Sequence, residues 1–177
     1  MMHKLLHWLS GFLPFREISD GDTPYLERYY LFTVLGWRFY LHQFVGSDPD
    51  RSLHDHPWSK AYSVILSGWY WEETRSGTRK VRWFNSLTGD TFHRVVLPVS
   101  VWRKGSMRID KPDTCWTLFM HKAGNVKPWG FLRPERFQNG IPCPTGRQIF
   151  EPYTYQREGS QKDWWLSAKT RRQVKGR

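Results

Sequence analysis

Between Tyr25 and Phe44 the sequence alternates aromatic and β-branched residues in two runs, interrupted once. Tyr29, Leu31 and Thr33 alternate with Tyr30, Phe32 and Val34; beyond Leu35-Gly36, Trp37, Phe39 and Leu41 alternate with Arg38, Tyr40 and His42. A two-residue period in such residues belongs to strands, because successive side chains project to opposite faces. Two strands joined near Leu35-Gly36 follow. Gly46 to Arg51 (GSDPDR) is then a turn, with Ser and Asp able to bond nearby amides and Pro fixing one φ. An extended segment runs from His54 to Leu66, and Ser67-Gly68 turns the chain into a strand at Trp69 to Thr74. Ser76-Gly77-Thr78 makes a hairpin to Arg79 to Asn85, and Gly89-Asp90 precedes a strand through His93 to Leu97. Thr114 to His121 is the last clear strand; from Gly124 onward Pro and Gly break the pattern, so Trp129 to Tyr155 wraps the rest as loops and short edge strands. Many short strands at this spacing, without a long helical period, define an all-β sandwich or barrel.

The ends are read differently. Leu5, Leu6, Leu9, Phe12 and Leu13 recur at helical spacing, so residues 1–18 are expected to hold a short amphipathic helix packed on the barrel. Its apolar run is far below the ~20 residues needed to span a bilayer, and no transmembrane segment is expected. Residues 19–155 form the barrel with its wrapping loops, and 156–177 a basic tail. That tail carries Lys162, Lys169, Arg171, Arg172, Lys175 and Arg177 against Asp163, within a chain of net charge +11. A solvated basic run is the ordinary reading, with nucleic acid as the partner that such charge would admit. Cys115 and Cys143 do not make a disulfide framework, which leads to the expectation of a free-thiol, cytoplasmic protein, with Cys115 as a small core residue.

The chemistry concentrates in Ser52-Leu53-His54-Asp55-His56-Pro57 and Phe92-His93-Arg94-Val95. Residues two apart on a strand share a face, so His54 and His56 aim two imidazoles at one point while Asp55 faces away. A downstream strand histidine, His93, supplies a third nitrogen. Imidazole suits Fe, Zn, Cu and Ni, and three such ligands leave positions open for substrate. His42 sits on an aromatic strand and is expected to be structural; His3 and His7 belong to the terminal helix. Trp58, Trp69, Trp71 and Trp116 are candidates for an apolar pocket wall or for core stacking.

This pattern resembles the cupin superfamily, whose first motif carries H-x-H, a following carboxylate and a glycine, and whose second supplies a further histidine. Lys60 and Ala61 stand where the glutamate would be expected. The chain is therefore more similar to the cysteine dioxygenase branch, which binds Fe(II) through three histidines. The stretches that carry the likeness are SLHDH (52–56), LSGWYWEET (66–74) and FHRV (92–95). The resemblance implies a double-stranded β-helix, or jelly-roll, barrel. It implies a metal held by His54, His56 and His93, and it places Arg28 at the upstream spacing of an arginine that binds a substrate carboxylate. Thr117-Leu118-Phe119-Met120-His121 replaces that branch's Ser-x-His-x-Tyr series, with His121 near the tyrosine's place.

Phosphate-cradling, dinucleotide-binding and nucleophile-elbow glycine motifs are absent, as is C-x-x-C. The expectation is a metal-binding cupin acting as a mononuclear non-haem Fe(II) oxygenase on a small polar or anionic substrate. His121 and Tyr62 would assist at the metal, and Arg28 would orient an acid group. Zn, Ni or Mn are the alternative ions. Two other functions stay open: a module binding a nucleotide, sugar or nucleic acid, and a metal-dependent isomerase or lyase.

Overall fold

The computed structural model describes residues 1–49, 52–104, 107–135, 146–154 and 163–176, with backbone alone at 102–104 and 107–109. A helix, α1 (Met2–Ser10), precedes β1 (Phe15–Asp20), β2 (Thr23–Val34), β3 (Trp37–Phe44), β4 (Lys60–Ser67), β5 (Tyr70–Thr74), β6 (Gly77–Val81) and β7 (Phe84–Thr88). Then follow β8 (His93–Val96), β9 (Val99–Lys104), β10 (Met107–Pro112), β11 (Cys115–Lys122), β12 (Gly130–Pro134), β13 (Gln148–Pro152), a 3-10 turn at Trp164–Leu166 and α2 (Arg171–Lys175).

Two antiparallel layers result. The first is a six-stranded sheet in the order β1-β2-β3-β11-β4-β7. The second contains β6-β5-β8 and β12-β13, and the two pieces are joined by single bridges from His54 to His93 and to Phe131. Consecutive strands thus leave one layer for the other, as in a jelly roll. The architecture is an all-β, jelly-roll arrangement of two sheets with a short N-terminal helix.

On the first sheet, strict alternation assigns two faces. Arg28, Tyr40, His42, Phe44, Ser63, Phe119 and His121 look between the layers, where they line a cavity. One end of this space is closed by Ile65, Tyr70, Val81, Val95, Leu97 and Cys115, contributed by both sheets. The opposite face of the first sheet buries Phe15, Tyr29, Leu41 and Trp116 beneath Leu6 of α1. Trp116 Nε1 donates to His3 Nδ1 at 2.9 Å, so the terminal histidine is part of this seam. Gly68, at φ +83, turns β4 into β5; a Cβ there would meet the Thr114 carbonyl oxygen at 2.5 Å. Only glycine accepts both conditions.

Several expectations need correction. Helix α1 ends at Ser10, and Phe15–Asp20 is a strand paired with β2. Pro14 cannot continue a helix and disfavours helical backbone at the residue before it. Arg79 to Asn85 is not one strand: the chain crosses between sheets at Arg82-Trp83, and Phe84–Thr88 pairs with β4 instead of β5. The hairpin β9-β10 is an addition to the elements read from sequence.

The basic tail is also more than a solvated run. Thr170 caps α2 with a full capping box and bridges to Pro14, which lays α2 beside β1 and β2. There Arg171 Nε donates to Glu27 Oε2 at 3.3 Å, and Lys175 Nζ donates to Glu27 Oε1 and Glu17 Oε2 at 2.5 Å each. The guanidinium of Arg172 lies 4.2 Å from the Phe12 ring centre. Cys143 and residues 155–162 lie outside the described residues, and Cys115 is fully buried in the core as expected. Among the described residues no helix is long and apolar enough to cross a membrane.

Glu27 is 4% exposed. Burial pushes its carboxyl upward, but hydrogen bonds from Lys175 and Tyr29 and the charges of Lys175 and Arg171 outweigh it, leaving the carboxyl below its usual range. A folded-state value below the unfolded one adds stability that is complete above the unfolded value and is lost as pH falls through the folded one. Chemical denaturation at about pH 7 and about pH 3 should show this loss. In Glu27→Gln the fall should be shallower, and stability at neutral pH lower by about 3 kcal/mol, because Arg171 and Lys175 lose their buried anion.

Candidate metal centre

The H-x-H stretch forms the join in the second layer. His54 N donates to the His93 carbonyl at 3.0 Å and His93 N donates to the His54 carbonyl at 2.9 Å, a closely paired couple. On the other side of the stretch, Leu132 N donates to the Leu53 carbonyl and Asp55 N to the Gly130 carbonyl. Asp55 is fully buried and faces away from the cavity: its Oδ1 accepts from Gly130 N and its Oδ2 from Lys127 Nζ, both at 2.7 Å. Gly130 is required there, since a Cβ would fall 2.1 Å from the Glu151 carbonyl oxygen. The alternation that sends Asp55 outward sends His54 and His56 inward, their ring centres 5.0 Å apart.

One ring nitrogen from each of His54, His56 and His93 lies within 4.8 Å of the others. His56 Nε2 and His93 Nε2 stand 2.9 Å apart. Metal–nitrogen bonds of about 2.1 Å meeting at right angles would place two nitrogens ~3.0 Å apart. The tautomer of His93 strengthens the fit. Its Nδ1–H donates to Glu72 Oε1 at 2.9 Å, so the Nε2 lone pair is directed at His56 Nε2. In the absence of an ion a proton on His56 Nε2 satisfies this contact, and a divalent cation would take that proton's place. The three histidines therefore fit a divalent metal by number, donor type and spacing.

Glu72 is 1% exposed and is the residue that sequence reading missed. It faces Val95 across the β5–β8 ladder, which makes His93 its diagonal neighbour on the same face. Its Oε1 also accepts from Asn85 Nδ2 at 2.6 Å, and its Oε2 from Arg79 Nε at 2.8 Å. Asn85 in turn donates to Tyr70 Oη at 3.1 Å. Burial opposes ionisation of Glu72, yet hydrogen bonds from His93 and Asn85 and the charge of Arg79 lower its carboxyl below the usual range. An ionised carboxylate behind a histidine ligand fixes the ring and raises the basicity of the ligating nitrogen. Asn85 belongs to the first sheet and Glu72 to the second, so this network ties the layers at the metal centre.

The remaining predicted residues separate into two groups. Arg28 and His121 line the same cavity of about 430 Å³ as the three histidines. Arg28 Nε donates to His42 Nε2 at 3.0 Å, and its guanidinium lies 5.5 Å from the Tyr40 ring centre. His42, read as structural, is thus the brace of Arg28. His121 stacks on Trp58 with ring centres 4.0 Å apart, and its Nδ1–H donates to the Lys122 carbonyl at 2.7 Å. Burial, aided by the nearby charges of Arg28 and Arg38, pushes its imidazole down to about 3, although the Lys122 carbonyl acts the other way. Burial likewise lowers His56, assisted by His54 and His93, and lowers His42, assisted by Arg28. All three stay neutral at ordinary pH, the form in which imidazole ligates and accepts hydrogen bonds.

Tyr62 requires a correction. It lies on the outward face of β4, stacked against Trp37 and Phe84 with ring centres 5.6 and 5.7 Å away. The bend over 57–59 resets the alternation, so Ala61 and Ser63 face inward where an unbroken strand from His56 would have placed Tyr62. Of the four tryptophans considered for the wall, Trp58 lines the cavity, Trp116 is buried on the outer side, and Trp69 and Trp71 stack edge-on with each other.

No protein-family model and no curated protein sequence matches this chain. Solved structures similar to it include a cupin 2 conserved barrel domain protein from Rhodopseudomonas palustris, at 12% identity and TM-score 0.48, covering 72% of this chain and 80% of that one. A cupin-2 domain from Rhodospirillum rubrum has 16% identity and TM-score 0.47, covering 65% and 72%. A structure of Fe(II) HppE has 9% identity and TM-score 0.45, covering 62% and 56%.

Glu72→Gln keeps an acceptor for His93 but removes the charge. We expect metal affinity to fall about 10–100-fold, read by competition with a chromophoric chelator, with the far-ultraviolet circular dichroism unchanged.

Proposed function

We propose that this chain is a mononuclear non-haem Fe(II) oxygenase acting on a small anionic substrate. The observation that carries the reading is the shared cavity: three imidazoles enter it from one layer and the Arg28 guanidinium enters it from the other. An iron bound there would supply the redox chemistry with O₂, and with three uncharged ligands it would keep its +2 charge and its affinity for anionic donors.

The protein's own groups do the positioning. Arg28 presents a planar fork that pairs with a carboxylate or phosphate in two-pronged fashion. Its Nε is engaged by His42, which sets the plane of the fork. Trp58, Phe119 and Tyr40 wall the cavity with aromatic rings. Such walls exclude water and strengthen the Arg28 contact. His121 uses Nδ1–H on the Lys122 carbonyl, so Nε2 is the acceptor it offers to a substrate N–H or O–H. Zn, Ni or Mn would serve the same nitrogens, since imidazole discriminates weakly among them.

Metal analysis of protein prepared without added metal should give one iron per chain, with O₂ consumed when a suitable acid is supplied. His54→Ala combined with His56→Ala should abolish both while the circular dichroism is retained; full occupancy in that variant would overturn the reading. Arg28→Gln should leave metal content intact and raise KM about 10–100-fold, the scale of a lost charge-assisted pair.

A further inference from the structure

Helix α1 is apolar on both of its faces. Toward the first sheet it buries Leu6 and Ser10, and its histidines are engaged there too: His3 Nδ1 accepts from Trp116, and His7 Nε2 stands 3.3 Å from Arg171 Nη1. Each residue turns the helix by about 100°, which carries Leu5, Trp8 and Leu9 to the opposite side. The turn after Ser10 adds Phe12, its ring edge-on to Trp8 with centres 5.3 Å apart. These four side chains and Met2 are each 43–54% exposed. Single exposed apolar residues are ordinary, but a contiguous group marks a contact surface, and a helix apolar all round is one that is covered. The patch lies on the outer side of the first sheet, with Trp116 and Tyr29 between it and the cavity. It is therefore no part of the metal centre.

The surroundings of the patch are cationic. Residues 1–16 and 164–177, the two segments that meet at this corner, contain no aspartate or glutamate. Lys4 is exposed on the helix itself. Arg172 N donates to the Gly11 carbonyl at 3.2 Å, and the guanidinium of Arg172 sits over Phe12. Lys169 is exposed beside them, its carbonyl accepting from Phe15 N at 3.0 Å. The carboxylates of the adjoining strands, Glu17 and Glu27, are taken by Lys175 and Arg171.

We propose that the outer face of α1 docks on an anionic lipid surface, with Leu5, Trp8, Leu9 and Phe12 entering the head-group boundary and Lys4, Lys169 and Arg172 meeting its negative charge. Interfacial binding draws on apolar area and on attraction to anionic lipid, and this corner offers both. Tryptophan suits that depth, because its ring is apolar while its N–H keeps a polar partner. A second copy of the chain fits less well: a symmetric contact would press this cationic rim against an identical one.

The test is co-sedimentation of the full chain with vesicles of phosphatidylcholine alone and of phosphatidylcholine with about one-third phosphatidylserine, at about 0.1 M salt. The chain should bind the mixed vesicles at least about tenfold more tightly than the neutral ones. Leu5→Gln combined with Leu9→Gln should weaken that binding at least about tenfold, since both side chains leave the patch and neither leaves the core. Arg172→Gln should weaken binding to the mixed vesicles about fivefold and leave the neutral ones unchanged. Brominated lipid should quench a part of the tryptophan fluorescence that is missing in Trp8→Phe. Trp83→Gln, at an exposed position on the crossover between the sheets, should change nothing. Melting curves of each variant verify the fold. Failure to bind the mixed vesicles, or equal binding to both kinds, overturns the proposal. So does binding untouched by the double leucine variant, or a loss of the same size in Trp83→Gln. A dimer in equilibrium sedimentation that the double variant dissolves, without vesicle binding, would assign the patch to a second copy instead.

Discussion

The pair of backbone hydrogen bonds between His54 and His93 is the constraint on which the rest of the molecule hangs. It is the only bridge of the second layer to β8, among the described residues, from the segment that also reaches β12. Take it away and β6-β5-β8 and β12-β13 are two separate ribbons, each too small to hold a face of the barrel. The same two residues then point their imidazoles into the space that their backbones have enclosed. Closure of the layer and assembly of the ligand set are thus one event. No additional scaffold is needed to bring these two distant parts of the sequence into one histidine cluster.

Support for that event comes from groups on the far side of each strand. Asp55 uses both carboxylate oxygens to fasten the H-x-H stretch to Gly130 and Lys127. Glu72 does the equivalent for His93, with Asn85 reaching across from the opposite sheet. The His93 ring is therefore held from behind by a buried carboxylate, while Asp55 holds the backbone that carries His54 and His56; both carboxylates are paired, the condition under which a buried charge is tolerable. The orientation of the His93 ring is thus set by the protein itself, which limits the ordering that metal binding would have to impose.

Much of this was legible in the sequence, and the failures have a common cause. The strands from Tyr25 to Phe44 and the shared face of His54 and His56 followed from period-two alternation, and the turn at Gly68 from its Ser-Gly pair. Tyr62 and the stretch from Arg79 to Asn85 failed because alternation was carried through a break: the bend at 57–59 in one case, the crossover at Arg82-Trp83 in the other. Glu72 was quoted within a matching stretch but given no role, because two consecutive glutamates after Trp71 carry no mark of which one faces inward. Its burial depends on Tyr70 beside it and on Asn85 from another sheet, and a pairing between sheets leaves no local trace. Arg171 and Lys175 looked like free charge for the same reason: Glu27, which binds them, is more than 140 residues away in the chain.

Strand β2 carries a final consequence. Its odd positions Glu27 and Tyr29 belong to the outer seam, while Arg28 belongs to the cavity, so anion and cation are separated by a single step of the pleat. The polarity of the whole chamber is encoded in the parity of one strand. An added or deleted residue between Thr23 and Tyr30 would exchange the faces and place a carboxylate, in place of the Arg28 guanidinium, opposite the histidines. An extra residue in the turns at Gly21 or Gly36 would change no parity within the strand. Within β2, the number of residues alone decides which side chains face the histidines.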